Sequence, residues 1–435
     1  MTWPMRASLA LICTAASVAN ADEPPNPYAQ TQVIAPAGKD PILGFCVPAG
    51  GGLVAVTGAK EAMVAGVRPP DAESPARHRV VWFASDGTEA RSVDLDFAAT
   101  VVGAAPGGGV YVAGDGVVAR LTSAGREDGR GATPQGPRNA EERRQFEQSI
   151  AEKHEAQLTA YDKQIERLRS TVAELERKAK EAEEADDETP AADEDDEAEA
   201  RRRSRAARLR MTQAQVARMT AQLRQAEAVM ERMRRQNVAQ LVEQALRKPR
   251  QIRAVSGSGD AVFIVTPEAT GYGYALWRLD GRFQNPEKIV SGLTGCCGQM
   301  DVQVFGDRLA IAANRKHCVE MASFAGEVVA KVGHRAGGGD DAAGFGGCCN
   351  PMNTCVAPDG SLLTSESNGV VKRFDADGEF VEIVGTAQVK GGCKNSAIAI
   401  EPDGSRLYYM DVNAGRVLVL TRTAHPTGDA PKQGS

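Results

Sequence analysis

Gly295-Cys296-Cys297-Gly298-Gln299-Met300-Asp301 returns 52 residues later as Gly347-Cys348-Cys349-Asn350-Pro351-Met352-Asn353. The stretches behind the two motifs align without a gap for almost forty residues. Asp307 falls on Asp359, Val319 on Val371, Gly326-Glu327 on Gly378-Glu379, and Val332-Gly333 on Val384-Gly385. A third copy follows at an offset of 44, where Gly391, Cys393, Pro402, Asp403, Gly404 and Leu407 match Gly347, Cys349, Pro358, Asp359, Gly360 and Leu363. A tandem unit of this length is the mark of a β-repeat architecture.

Working outward, the chain falls into three compositional regions. Residues 22–136 and 250–422 are rich in Gly, Val and short strand-like runs, and residues 137–249 lack Gly and are dominated by Ala, Glu, Arg, Gln and Leu. Strand pairs bracket the turn signals Ala357-Pro358-Asp359-Gly360, Asp375-Ala376-Asp377-Gly378 and Glu401-Pro402-Asp403-Gly404. The β regions divide into six units, over roughly 41–98, 99–128, 252–292, 295–335, 347–386 and 391–422. In the first, Cys46-Val47 stands before Gly50-Gly51-Gly52-Leu53 much as Cys355-Val356 stands before Asp359-Gly360. The last unit runs out after three strands. Thr31 to Pro36 is placed to supply the fourth and remove two open edges.

The Pro-Asp-Gly turn, the following strand, Asn368-Gly369 and Val371-Lys372-Arg373-Phe374-Asp375-Ala376-Asp377-Gly378-Glu379-Phe380 together resemble the NHL repeat of six-bladed β-propellers. The resemblance covers 295–422 well and 40–130 weakly. The Gly-Cys-Cys pairs, Gly271-Tyr272-Gly273-Tyr274-Ala275-Leu276-Trp277 and an internal helical segment are similar to an exported bacterial subgroup of NHL-type proteins. The resemblance implies a fold and a tendency to bind other molecules, not a reaction. The expected fold is an all-β six-bladed β-propeller, NHL-like, interrupted by an α-helical antiparallel coiled-coil hairpin.

That hairpin occupies 137–249. Pro134 and Pro137 stop the preceding structure, Asn139 is a good N-cap, and Glu142 sits at the capping-box position. Leu158, Tyr161, Ile165, Leu168, Val172, Leu175, Ala179 and Ala182 step by three and four, as do Leu209, Thr212, Val216, Met219, Leu223, Ala226, Met230 and Met233. This is the seam of a coiled coil. Pro190 breaks the helix inside an acidic tip with eleven acids from Glu183 to Glu199, and Pro249 ends the return. About 45 residues at ~1.5 Å each project roughly 65 Å. Arg201, Arg202, Arg203, Arg205, Arg208 and Arg210 follow the acids, a polarity suited to a coiled-coil partner or to self-association. Calcium at Asp193 to Glu197 is a weaker candidate, since the run lacks the Gly and regular spacing of an EF-hand loop.

Arg6, the apolar run Ala7 to Val18 and Ala19-Asn20-Ala21 form a secretory signal, with cleavage expected at Ala21. The run is too short to span a bilayer, so the expected product (residues 22–435) is exported, periplasmic or extracellular, with 423–435 as a flexible tail. A net charge of −6 and no interleaving of basic with aromatic residues argue against nucleic-acid binding.

Export leaves eight cysteines, Cys46, Cys296, Cys297, Cys318, Cys348, Cys349, Cys355 and Cys393. An even number in an exported chain points to disulfides, here staples between neighbouring blades, although 105 pairings exist. The alternative is a soft-metal or redox module. Cys-Cys-x-x-Met occurs twice and brings Met300 and Met352 into register with Cys296, Cys297, Cys348, Cys349 and Cys393, a ligand set suited to copper(I). A third reading is a metal-dependent lactonase or lyase. However, His78, His154, His317, His334 and His425 do not recur at equivalent blade positions. Asp301 and Asn353 do recur just inside the rim, and a structural role at the blade edge is the simpler one for them. No nucleophile triad, phosphate loop or HExxH motif is present. The favoured expectation is a binding scaffold that takes a protein or small ligand on its propeller face, with no catalytic residues assigned.

Overall fold

The computed structural model describes residues 26–38, 40–59, 78–135, 137, 139–187, 196–247, 250–268, 272–295, 300–338, 341–390 and 396–423; the side chains of 185–187, 196–198 and 201 lie outside the description. Turn chemistry lays out the strands. Asp359 accepts the Ser361 N–H at 3.0 Å and its hydroxyl at 2.6 Å, with Gly360 at φ 80°. Asp403 accepts the Ser405 N–H at 2.8 Å, and Asp375 accepts those of Asp377 and Glu379. Each Asp side chain closes a local ring that reverses the strand.

The strands form six four-stranded antiparallel sheets, five of them simple meanders and the sixth completed by the N-terminal strand, with one short parallel pair besides. Sheet 1 is Ile42–Cys46, Val54–Thr57, His78–Phe83 and Glu89–Leu95. Sheet 2 is Val101–Ala104, Val110–Gly114, Val117–Leu121 and Glu127–Ala132. Sheet 3 is Ala254–Ser258, Ala261–Pro267, Tyr274–Asp280 and Glu287–Leu293. Sheet 4 is Val302–Phe305, Arg308–Ala313, Cys318–Ser323 and Val328–Val332. Sheet 5 is Asn353–Val356, Leu362–Ser365, Val370–Phe374 and Phe380–Thr386. Sheet 6 is Ile398–Ile400, Arg406–Asp411 and Arg416–Arg422, completed by the N-terminal strand Tyr28–Ile34. That strand pairs from Tyr28 opposite Arg422 to Ile34 opposite Val417. It starts three residues before the expected Thr31.

The first strand of each sheet lies beside the first strand of the next, and that of sheet 6 lies beside that of sheet 1. Apolar clusters fill the spaces between sheets: 1 and 2, 2 and 3, 3 and 4, 4 and 5, 5 and 6, and 6 and 1. This is the β-propeller arrangement. Both faces of every sheet are buried against a neighbour, which explains second strands as apolar as Val262-Phe263-Ile264-Val265, all fully buried.

Between sheets 2 and 3 stand the helices α1 (Ala140–Asp187), α2 (Asp196–Arg234) and α3 (Val238–Arg247). Asn139 Oδ1 accepts the Glu142 N–H at 2.8 Å and so caps α1. Asp162 meets Arg234 at 2.8 Å, Arg169 meets Glu227 at 2.7 Å and Glu183 meets Gln213 at 3.0 Å. From one contact to the next, α1 advances by seven and then fourteen residues while α2 retreats by the same steps, which makes the pair antiparallel. Leu158, Tyr161, Ile165, Leu168, Val172, Leu175 and Ala179 are buried or half-buried, as is the whole seam from Leu209 to Met233; Ala182 is exposed. At ~1.5 Å per residue α1 is about 70 Å long.

One expectation needs correcting: the returning helix does not run unbroken to Pro249. It ends at Arg234, and Asn237 Oδ1 accepts the Ala239 N–H at 2.9 Å to start α3. α3 lies against α1, with Val242 buried and Glu243 paired to Arg143 at 3.1 Å. Both ends of the insert reach one turn of sheet 2: Gly116 donates to the Arg250 carbonyl and accepts from the Thr133 N–H, and Arg250 pairs with Asp115 at 3.3 Å.

Candidate functional site at the cysteine rim

Because sheets 1 to 5 are each a meander of four antiparallel strands, the chain leaves each for the next at the end where the inner strands begin. Four successive crossovers on this rim carry the features singled out in the sequence. The helices lie between sheets 2 and 3, Cys296-Cys297 between sheets 3 and 4, Cys348-Cys349 between sheets 4 and 5, and Cys393 between sheets 5 and 6. Cys296, Cys297 and Cys393 are outside the described residues, as are the calcium candidates at the acidic tip.

The Cys348-Cys349 loop is held from beneath by a buried polar network. Gly344-Phe345 pairs in parallel with His334-Arg335. Asn350 Nδ2 donates to the Gly346 carbonyl at 2.8 Å and to Glu366 at 3.2 Å, and its Oδ1 accepts the Ser367 N–H at 2.8 Å. The Lys372 ammonium pairs with Glu366, donates to the Gly344 carbonyl and lies 5.1 Å from the centre of the Phe345 ring. Glu366 and Lys372 are both buried. Charges shut away from water are tolerable only with such partners, and removing one strands the other. Above this base the two sulfurs lie 3.1 Å apart, with Cys348 exposed and Cys349 buried. A disulfide would bring them to ~2.05 Å.

Three of the cysteines expected as staples, Cys46, Cys318 and Cys355, stand apart from one another in the sheets. Cys46, Cys318 and Cys355 are unbridged and belong to sheets 1, 4 and 5. Cys46 packs with Val54, Val56, Val80 and Val102 in the apolar layer between sheets 1 and 2. Burial pushes all three thiols above their ordinary range, and the nearby carboxylates Glu320 and Asp301 add to this for Cys318 and Cys355. Such thiols stay protonated and poorly nucleophilic.

Met300 and Met352 are fully buried. Met300 packs among Phe263, Tyr274, Leu276, Leu293 and Ile311 in the apolar layer between sheets 3 and 4. The four described histidines stand apart, and His425 lies outside the described residues. His78 is buried with Nδ1 2.7 Å from the Ala99 carbonyl oxygen, His154 is buried in the helical arm, His317 is buried in a turn of sheet 4, and exposed His334 pairs with Asp341 at 3.0 Å. Among the described residues no group of three or more His, Cys, Asp or Glu side chains is arranged to hold a metal ion.

Asp301 and Asn353 act as latches between sheets. Asp301 Oδ2 accepts the N–H of Thr354 at 2.9 Å and its hydroxyl at 3.1 Å, joining sheet 4 to the inner strand of sheet 5. Asn353 Oδ1 accepts the Ile398 N–H at 3.1 Å, joining sheet 5 to the inner strand of sheet 6. Burial raises the Asp301 carboxyl to about 6, against the lowering effect of the Thr354 and Gln303 hydrogen bonds. The sequence did not reveal the Glu366–Lys372 pair. The available signal was a Lys at 372 where the preceding repeat has Glu320, an opposite charge at a matched position, with both residues buried.

The solved β-propeller domain of Cps50 (Swd1) from Myceliophteria thermophila is similar to this chain at 12% identity and a TM-score of 0.39, covering 91% of this chain and 100% of that one. No protein-family model matches the chain, and no curated protein does. The propeller assignment rests on strand order and the ring of inner strands, not on that likeness. No helix among the described residues is long and apolar enough to cross a membrane.

Proposed function

We propose that the chain is an exported, NHL-like six-bladed β-propeller that serves as a binding scaffold, with its coiled-coil arm docking a partner beside the cysteine rim. One observation carries this reading. The arm and the Cys348-Cys349 loop leave the propeller from the same face, the arm at the crossover between sheets 2 and 3 and the loop at that between sheets 4 and 5. A partner gripped by the arm is thereby brought over the rim. The cysteines of that rim, Cys296, Cys297, Cys348, Cys349 and Cys393, serve as staples between neighbouring crossovers, while Cys46, Cys318 and Cys355 remain thiols.

The test compares the full chain with one in which 139–248 is replaced by a short turn. Crosslinking on intact cells followed by mass spectrometry identifies the neighbours of each. Partners of the full chain that are lost from the shortened one support the docking arm, and an unchanged set of neighbours overturns it. Peptide mapping without reduction tests the staples, which require disulfides among the five rim cysteines.

A second reading is favoured by the 3.1 Å approach of the Cys348 and Cys349 sulfurs. In that case the rim is a soft-metal or redox module, and reduced rim cysteines with a stoichiometric metal in untagged protein would replace the staples.

A further inference from the structure

Asp301 and Asn353 each stand at the head of an inner strand and hold the next sheet. Arg253 stands one residue ahead of the inner strand Ala254–Ser258 of sheet 3. The link from that strand to the next sheet is made by Ser256 Oγ, which accepts the Val304 N–H of sheet 4 at 3.0 Å. The Arg253 backbone is fixed by its N–H to the Val265 carbonyl at 2.8 Å. Its guanidinium donates to the neutral Gln251 side chain, and its Nε is closed off from solvent with no hydrogen-bond partner. Among the described residues no carboxylate forms an ion pair with it, and the one titratable group close enough to act on it is Tyr274.

Desolvation draws the Arg253 guanidinium below the usual arginine range. A cation drawn partly out of water is stabilised when a counter-charge arrives. The fold withholds one where it was easily supplied, because Gln251 has the shape of a glutamate. On the same end of sheet 3, in the turn before Tyr274–Asp280, the Tyr272 ring is fully exposed. Arg253 thus carries a charge that no carboxylate among the described residues neutralises.

We propose that Arg253 anchors a ligand site on the cysteine rim, taking the carboxylate of an anionic ligand. A carboxylate matches the fork of a guanidinium with two parallel hydrogen bonds, and its single charge neutralises the single cation. The site concerns a small anionic group and does not depend on the arm or on the state of the cysteines.

The test uses the full chain and four probes in thermal melts and titration calorimetry: citrate, an acetylated tetrapeptide with a free C-terminus, the same peptide amidated, and inorganic phosphate. Citrate, the free-acid peptide or both raise the Tm, and the amide does not. Response to one alone says whether the carboxylate belongs to a free acid or a chain terminus. Arg253→Gln weakens the responding probe by more than about tenfold, the scale of a lost charge-assisted hydrogen bond. Gln251→Glu supplies the carboxylate internally, raises the Tm without ligand and abolishes the response. A response equal in Arg253→Gln and the parent, a response to the amide, a response to phosphate alone, or no response to any probe overturns the site.

Discussion

Replacing Asp301 by Asn turns the latch of sheet 4 into the latch that sheet 5 already uses at Asn353. The acceptor for the Thr354 N–H survives, since an amide oxygen does the same work for Ile398 at 3.1 Å. What disappears is a buried ionisable group. Burial moves the Asp301 carboxyl from 3.8 to about 6, and the Thr354 hydrogen bonds recover only part of the loss. Two units at 1.36 kcal/mol each set a ceiling of about 3 kcal/mol.

The sign follows from proton linkage. Between pH 3.8 and 6 the folded chain holds the Asp301 proton and the unfolded chain has released it, so stability from this group falls as pH rises through that window. Asp301→Asn is therefore close to the parent at pH 4, gains on it up to pH 6, and stays ahead by up to about 3 kcal/mol above pH 6. The Gln303 amide, which donates to Oδ1 at 3.3 Å, must turn over to suit the new side chain, and this reduces the gain. Urea melts of both proteins from pH 4 to 8 measure the difference, in which all other titrating groups cancel. A difference that does not change with pH, or a parent that is the more stable at pH 7, refutes the reasoning.

Asn353→Ala leaves the buried Ile398 N–H without its acceptor and lowers stability by about 1–3 kcal/mol in the same melts. Lys372→Met strands the buried Glu366 carboxylate and costs about 3–5 kcal/mol; the double variant with Glu366→Leu recovers part of that, as a double-mutant cycle will show. Deleting 139–248 with a short turn in their place leaves the propeller's cooperative melt intact while the helical circular dichroism signal collapses. Loss of that melt would mean the arm is part of the folding unit. Ile165→Asp puts a charge into the arm's seam and unfolds α1 and α2 at a lower temperature than the sheets, seen as a separate early loss at 222 nm.

Local chemistry made much of this fold legible. The Asp-Gly turns placed the strand reversals because each Asp binds its own backbone within two to four residues. The three-four alternation from Leu158 to Ala179 named the buried side of α1, because a helix face is set by spacing alone. The break at 235–237 was also a local signal, Asn237 before Val238, but an apolar seam reaching Met233 and a proline at 249 drew attention past it. Long-range pairing hid the rest. Nothing near Lys372 in sequence says that the Gly344 carbonyl will meet it, and nothing near Ser256 says that the Val304 N–H will. Cys46 and Cys355 were hidden for a related reason: they pack as small apolar residues in separate layers, a choice made by burial and not by number.

The pairing of Tyr28–Ile34 with Arg416–Arg422 sets the timetable of assembly. The earliest described strand can find its neighbour only after nearly the whole chain has been made, and sheet 6 stays open until then. Sheets 1 to 5 are each built from contiguous sequence, whereas the sixth waits for the two ends to meet. A proteolytic cut that frees residues 26–34 leaves the ring with one unsealed seam, and the exposed edge of Arg416–Arg422 is where such a chain would aggregate.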